Sequence, residues 1–245
     1  QMEEVDRLLL ERVGGPAARV VVLPTAAGLE EPASPQRWAN LGVRHFTRLG
    51  ANTEAINILR REDAFDPRWL PLLERADLIY FSGGSPRHLV DTLSDSPAWE
   101  VIRLRYAAGA VLAGCSAGAM AFGHVTLQPR RLWTGGVTNG SLPADTWYPA
   151  LGLLPGVVAL PHFDRWIRRM GQPVLKQLAA SLPAGVSLVG VDEDTALVDF
   201  HHDGVWHVLG RQGVSVIDAE DGENRYMSGA SVDLSAVRNK LHECP

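Results

Sequence analysis

The chain has 245 residues, 46% of them hydrophobic and 21% charged, which supports a sizeable core and excludes an intrinsically disordered protein. A formal net charge of −5 argues against a general nucleic-acid surface, and no apolar run is long enough to span a bilayer. The acidic start at Gln1 to Asp6 has no signal-peptide pattern, and the two cysteines, Cys115 and Cys244, fit a reducing cytoplasm better than a structural disulfide.

Residues 2–13 read as an amphipathic helix ended by Gly14, Gly15 and Pro16. Arg19 to Pro24 is an apolar strand running into a turn at Thr25 to Gly28. Segment 36–49 is helical, Ala55 to Leu59 a second strand, and Pro67 to Arg75 a short helix. Asp77 to Phe81 is a third strand, closed by Ser82, Gly83, Gly84 and Ser85. Helices follow from Pro86 to Leu93 and from Trp99 to Ala108. Ala110 to Ala113 then reads as a fourth, buried strand.

Directly after it stands Gly114-Cys115-Ser116-Ala117-Gly118, a match to G-x-S-x-G, with Ala119 to Phe122 suited to a buried helix. Strand, tight turn and helix is the setting of a nucleophile elbow, in which a strained serine needs neighbours without side chains two residues away on either side. Further on, 127–150 is an irregular loop or hairpin rich in Gly, Pro, Thr and Trp. Val157 to Pro161 is a strand followed by His162, Ile167 to Leu182 a helix, and Val186 to Val191 a strand followed by Asp192, Glu193 and Asp194. Strands at Thr195–Phe200, Val205–Leu209 and Val214–Ile217 close the chain, with Asp203-Gly204 as a hairpin turn.

The alternation describes one α/β domain over 1–245: a mostly parallel central sheet with helices on both faces and a strand-rich C-terminal part. Ligands in such sheets bind at the carboxyl ends of the strands, where Thr25, Gly84 and Ser116 fall. Ser116 needs a base, and His162 after a strand is the candidate. His124 is the rival, but eight residues along the same helix it stands about 12 Å from the serine. The amides of Gly84 and Ala117 are assigned to an oxyanion hole. Arg165, Arg168 and Arg169 are the residues to read a substrate carboxylate, against the plainer reading of a solvated basic helix face. Asp192, Glu193 and Asp194 admit a metal or triad role, but a polar loop between strands is preferred. No Cys/His spacing describes a zinc site.

Five motifs in order carry a resemblance: Ser82-Gly83-Gly84, Gly114 to Ala119, Gly152 to Gly156, Pro161 to Asp164, and Gly190 to Val198. Together they resemble peptidase family S51, the peptidase E and cyanophycinase group of serine peptidases, from about Arg19 to about Ile217. The resemblance implies a flavodoxin-like fold akin to class I glutamine amidotransferases, Ser116 as nucleophile, His162 as base, and hydrolysis after aspartate through an acyl-enzyme. It implies no metal and no organic cofactor. The substrate expected first is a short peptide with an N-terminal aspartate, as for an aspartyl dipeptidase. The alternatives are a cyanophycinase-like β-aspartyl peptidase and a catalytically weak amidotransferase-like binding protein. Nucleic acid and membrane are not expected as partners, and a homodimer is left open.

Two features depart from the family pattern. Members commonly begin with a strand and a Gly-rich turn, whereas this sequence starts on the first helix. The family pattern also places an acid some fifteen to twenty residues after the nucleophile, and Leu127 to Ser141 holds no carboxylate. Asp145 is chosen as the acid, with Asp164 and Glu193 as further candidates.

Overall fold

A computed structural model describes residues 2–127, 142, 145–201, 203–218 and 222–234, without the side chains of 167–170. They fall in two compact units, Glu3–Ala119 and the chain from Met120 onward.

The first unit is built from α1 (Glu3–Arg12), β1 (Arg19–Leu23), α2 (Ser34–Arg48), β2 (Asn52–Ala55), α3 (Leu70–Glu74), β3 (Leu78–Phe81), α4 (Pro86–Leu93), α5 (Pro97–Ala107), β4 (Val111–Gly114) and the start of α6 (Ala117–Met120). The four strands form a parallel sheet in the order β2-β1-β3-β4. Val22 and Tyr80 are register partners and share a face, which α2 covers: Phe46 packs edge-on against Tyr80 and Gly42 lies on Val22. Val21, Leu23, Ile79 and Phe81 point the other way and are also fully buried, so both faces of the sheet are covered. Helix starts are set locally. Ser85 accepts the amide of His88 and Ser96 that of Trp99, each with a proline as the first helical residue.

Two expectations are corrected here. The second strand is Asn52–Ala55, three residues before the apolar stretch Ala55 to Leu59. It lies at the sheet edge, where polar side chains are tolerated; the buried Ile56 and Ile58 follow it as irregular chain. The helix after the elbow stops at Met120, so His124 is not on it; the His124 amide donates instead to the Val157 carbonyl at 2.7 Å.

The second unit contains β5 (Val125–Leu127), β6 (Trp147–Pro149), β7 (Val157–Pro161), α7 (Phe163–Ala180), β8 (Ser187–Val191), β9 (Thr195–Val198), β10 (Val205–Gly210), β11 (Gly213–Asp218), β12 (Gly222–Met227) and β13 (Ser231–Asp233). Strands β12-β11-β8-β7 form one sheet, in which β7 and β8 are parallel and the rest antiparallel. Strands β13-β10-β9 form a second, and β5 pairs antiparallel with β6. Alternate side chains of the four-stranded sheet serve two cores. Leu160, Leu188 and Ile217 join Phe163, Trp166, Leu175 and Leu178 of α7. Val157, Val189, Val214 and Val216 join Val208 of β10 and Val232 of β13. Helix α7 carries a break at Gly171, whose φ of 74° and ψ of 164° are not helical, two residues before Pro173. The strand-rich C-terminal part is therefore a layered arrangement of helix, sheet and sheet.

Candidate active site

In the first unit the sequence Gly114 to Gly118 does form a strand–turn–helix. Ser116 has φ 50°, a left-handed conformation that non-glycine residues seldom adopt. The flanking glycines are required by space. A Cβ on Gly118 would stand 2.4 Å from the Phe81 carbonyl oxygen, and one on Gly114 would stand 2.7 Å from the Gly118 carbonyl carbon. The turn is tied down by the Cys115 amide donating to Phe81 O at 3.1 Å and the Gly118 amide to Cys115 O at 2.9 Å. Gly83 borders the serine: a Cβ there would lie 3.2 Å from Ser116 Cβ and 3.6 Å from its Oγ. Gly84, assigned with Ala117 to the oxyanion hole, has φ 144° and packs against Ala26, where a Cβ would meet the carbonyl oxygen at 2.2 Å. Ala117 is the buried first residue of α6. Cys115 does not compete with the serine. Burial pushes its thiol up, outweighing hydrogen bonds from Tyr80 and the Gly83 amide, so it stays protonated at neutral pH.

In the second unit β7 and β8 run parallel with Pro161 opposite Val191, so the residues that follow each strand emerge side by side. His162 follows β7 with φ 56°, and its carbonyl accepts the amides of Arg165 and Trp166 at 3.0 Å, starting α7. Glu193 follows β8. Its Oε1 lies 2.5 Å from His162 Nδ1; a carboxylate only accepts, so that nitrogen carries the proton. Proton exchange with a substrate or a hydroxyl then falls to Nε2. The Glu193 amide donates to Asp164 Oδ1 at 3.1 Å, and its carbonyl accepts Thr195 Oγ1 and Gln212 Nε2.

The other sequence candidates fall as follows. Asp145 is exposed in the turn before β6; the carboxylate at hydrogen-bond distance from His162 Nδ1 is that of Glu193. Asp164, on the first turn of α7, holds the Glu193 backbone. Arg165 Nε stands 3.2 Å from Glu193 Oε1, so it shares that carboxylate with His162, while its own side chain is largely exposed. The side chains of Arg168 and Arg169 lie outside the described residues. Asp192 is paired with Arg225 and Asp194 with Arg211. Among the described residues no group of three or more His, Cys, Asp or Glu is arranged to hold a metal ion. The triple Asp192 to Asp194 is thus a set of paired carboxylates, and its middle member is the one that meets a histidine. The available signal was positional: two apolar strands, one followed at once by His162 and the other by a run of three carboxylates.

The first unit thus carries a strained serine at the strand–helix turn of a parallel sheet, and the second a histidine–glutamate pair just past two parallel strands. The sequence model of peptidase family S51 matches residues 1–205, and the chain belongs to that family. A cyanophycinase of Trichormus variabilis is 32% identical over 246 residues, covering 98% of this chain and 77% of the relative. A cyanophycinase of Synechococcus elongatus is 30% identical, covering 95% of this chain and 69% of the relative. Among solved structures, a peptidase from an acI-B1 Actinobacterium superposes with a TM-score of 0.81 at 32% identity, covering 95% of this chain and 91% of the other. A peptidase E protein from Listeria monocytogenes EGD-e superposes at 0.56 with 19% identity, covering 93% and 95%, and shares the fold.

Proposed function

We propose that this S51 peptidase is serine-type and cyanophycinase-like, cleaving the amide between an aspartate β-carboxyl and the amino group of an arginine. The similarity to cyanophycinases along nearly the whole chain supports this over the α-aspartyl dipeptides expected first. The likeness to peptidase E, at 19% identity, supports the fold alone. The reading of a catalytically weak binder rested on a missing acid; the carboxylate on His162 removes that motive.

In this reading Ser116 Oγ attacks the amide carbonyl carbon while His162 Nε2 takes the hydroxyl proton. Glu193 keeps Nδ1 protonated and stabilises the imidazolium. Backbone amides at Gly84 and Ala117 take up the charge on the carbonyl oxygen. His162 returns its proton to the departing amine, and water then hydrolyses the aspartyl ester on Ser116. Arg165 offers its guanidinium to a substrate carboxylate, in exchange for Glu193.

The observation that carries the chemistry is the 2.5 Å contact between His162 and Glu193, just past two strands of fixed register. The test is a substrate panel of β-Asp-Arg, α-Asp-Arg and α-Asp-Leu dipeptides and the β-Asp-Arg polymer. β-Asp-Arg turnover should exceed that of α-Asp-Leu at least about tenfold, and Ser116→Ala should lose on the order of 10³-fold or more in kcat. Preference for α-Asp-Leu would overturn the substrate assignment. Undiminished turnover by Ser116→Ala would overturn the nucleophile.

A further inference from the structure

Behind the His162–Glu193 pair lies an ion pair that the chemistry above does not use. Arg225 on β12 is the register partner of Ser215 on β11, which in turn faces Gly190 on β8. From there its guanidinium reaches the loop after β8 and takes Asp192 by both oxygens, Nη2 on Oδ2 and Nη1 on Oδ1. Nη1 also donates to Ser215 Oγ at 3.0 Å, and that hydroxyl donates to Glu223 Oε1 at 2.7 Å. The Asp192 side chain is 1% exposed. Its backbone is held too: the Asp192 amide donates to Gly213 O at 3.2 Å, and the Gly213 amide to Asp192 Oδ2 at 3.4 Å.

We propose that Arg225 is a positioning residue for Glu193: by clamping Asp192 it sets the loop that carries the next carboxylate to His162. The idea rests on the reading of His162 and Glu193 as base and acid. The physical ground is that Asp192 is buried and charged. A two-pronged guanidinium satisfies it, whereas removal of the arginine strands a carboxylate in the core. The loop must then open to water, and Glu193 moves with it. A contact of 2.5 Å has no room for such a shift. Asp164, Thr195 and Gln212 hold the backbone of Glu193, and the largely exposed Arg165 meets its carboxylate beside His162.

Among the described residues, the charged groups tied to this loop and its anchors are Asp164 and Arg165 on α7, Asp192 and Asp194 on the loop itself, Arg211 in the turn between β10 and β11, and Glu223 and Arg225 on β12. The test follows the low-field NMR signal of the His162 Nδ1 proton in the full chain, beside kcat and KM. Glu193→Gln should move that signal upfield or abolish it, since the proton loses its carboxylate acceptor. Arg225→Gln, folded by circular dichroism, should move it in the same direction and reduce kcat on the order of 10- to 100-fold, with KM changed less than about twofold. An unchanged signal in Glu193→Gln overturns the reading of the pair and this proposal with it. A signal that changes in Glu193→Gln and stays at the wild-type position in folded Arg225→Gln overturns this proposal alone. If Arg225→Gln does not fold, Arg225→Lys is read in the same way: it keeps the charge and loses the fork, so a smaller upfield shift supports the clamp and none overturns it.

Discussion

Ser116 and His162 both hold a left-handed backbone, at φ 50° and 56°, and each stands at the end of a parallel strand. Such conformations cost about 1–3 kcal/mol each and persist where the neighbours leave no alternative. At Ser116 the neighbours are Gly114 and Gly118, whose missing side chains let the turn fold back on Phe81. Gly118→Ala forces a methyl group to within 2.4 Å of a carbonyl oxygen. We expect it to cost about 1–3 kcal/mol or more by urea titration and to lose most activity, because the serine must swing away. The His162 ring meets a carboxylate 31 residues away. Glu193→Gln leaves the shape and removes the charge, so kcat should fall on the order of 10²- to 10⁴-fold with KM little changed. Unchanged kcat in steady-state assays would show that the carboxylate does not serve the ring. The elbow was readable in the sequence because its steric demand is met within five residues. The carboxylate partner of His162 was not, because Glu193 looks like either neighbouring carboxylate until β7 and β8 are paired.

At the scale of elements, the helix expected from Ile167 begins at Phe163, directly after His162. The reason lies across the sheet. Phe163 is fully buried and its ring lies on Gly190 of β8, where a Cβ would meet ring carbons at 2.3 Å. The missing side chain at Gly190 lets the first turn of α7 sit flat on the sheet, and that seating aims His162. Gly190→Ala should therefore destabilise the protein by about 1–3 kcal/mol, read from a denaturant midpoint, and lower kcat by more than the loss of folded protein explains. A normal kcat together with a normal midpoint would mean that Phe163 does not seat the helix. The edge strand Asn52–Ala55 shows the opposite limit of pattern reading. Its polar residues carry no hydropathy signal, and only the ladder to β1 makes it a strand.

For the whole molecule, acid stability is set in part by a carboxylate outside the candidate catalytic groups, Asp77 before β3. Burial raises the Asp77 carboxyl, but hydrogen bonds from the side chain and amide of Arg19 and the charges of Arg19 and Arg105 outweigh it, leaving it below its ordinary value of 3.8. A carboxyl with a lowered folded pKa adds stability above the unfolded pKa, and that stability is lost as pH falls through the folded one. Thermal unfolding should thus show a loss of stability below about pH 4, and Arg19→Met should make that loss shallower. An identical acid limb in the variant would remove Asp77 from the account. Two families of core residues, one around the parallel sheet of the first unit and one on both faces of β12-β11-β8-β7, support the fold, and no described helix is long and apolar enough to cross a membrane.

Strand–helix alternation, the glycine-flanked serine, the histidine after an apolar strand and the family resemblance were all legible from the chain of letters, because each rests on neighbours a few residues apart. Which carboxylate meets His162, where Arg165 points and what holds Asp192 were not. Those are outcomes of strand register, which joins residues about thirty positions apart, and no local pattern of hydropathy or charge encodes which of three adjacent acids the register will select.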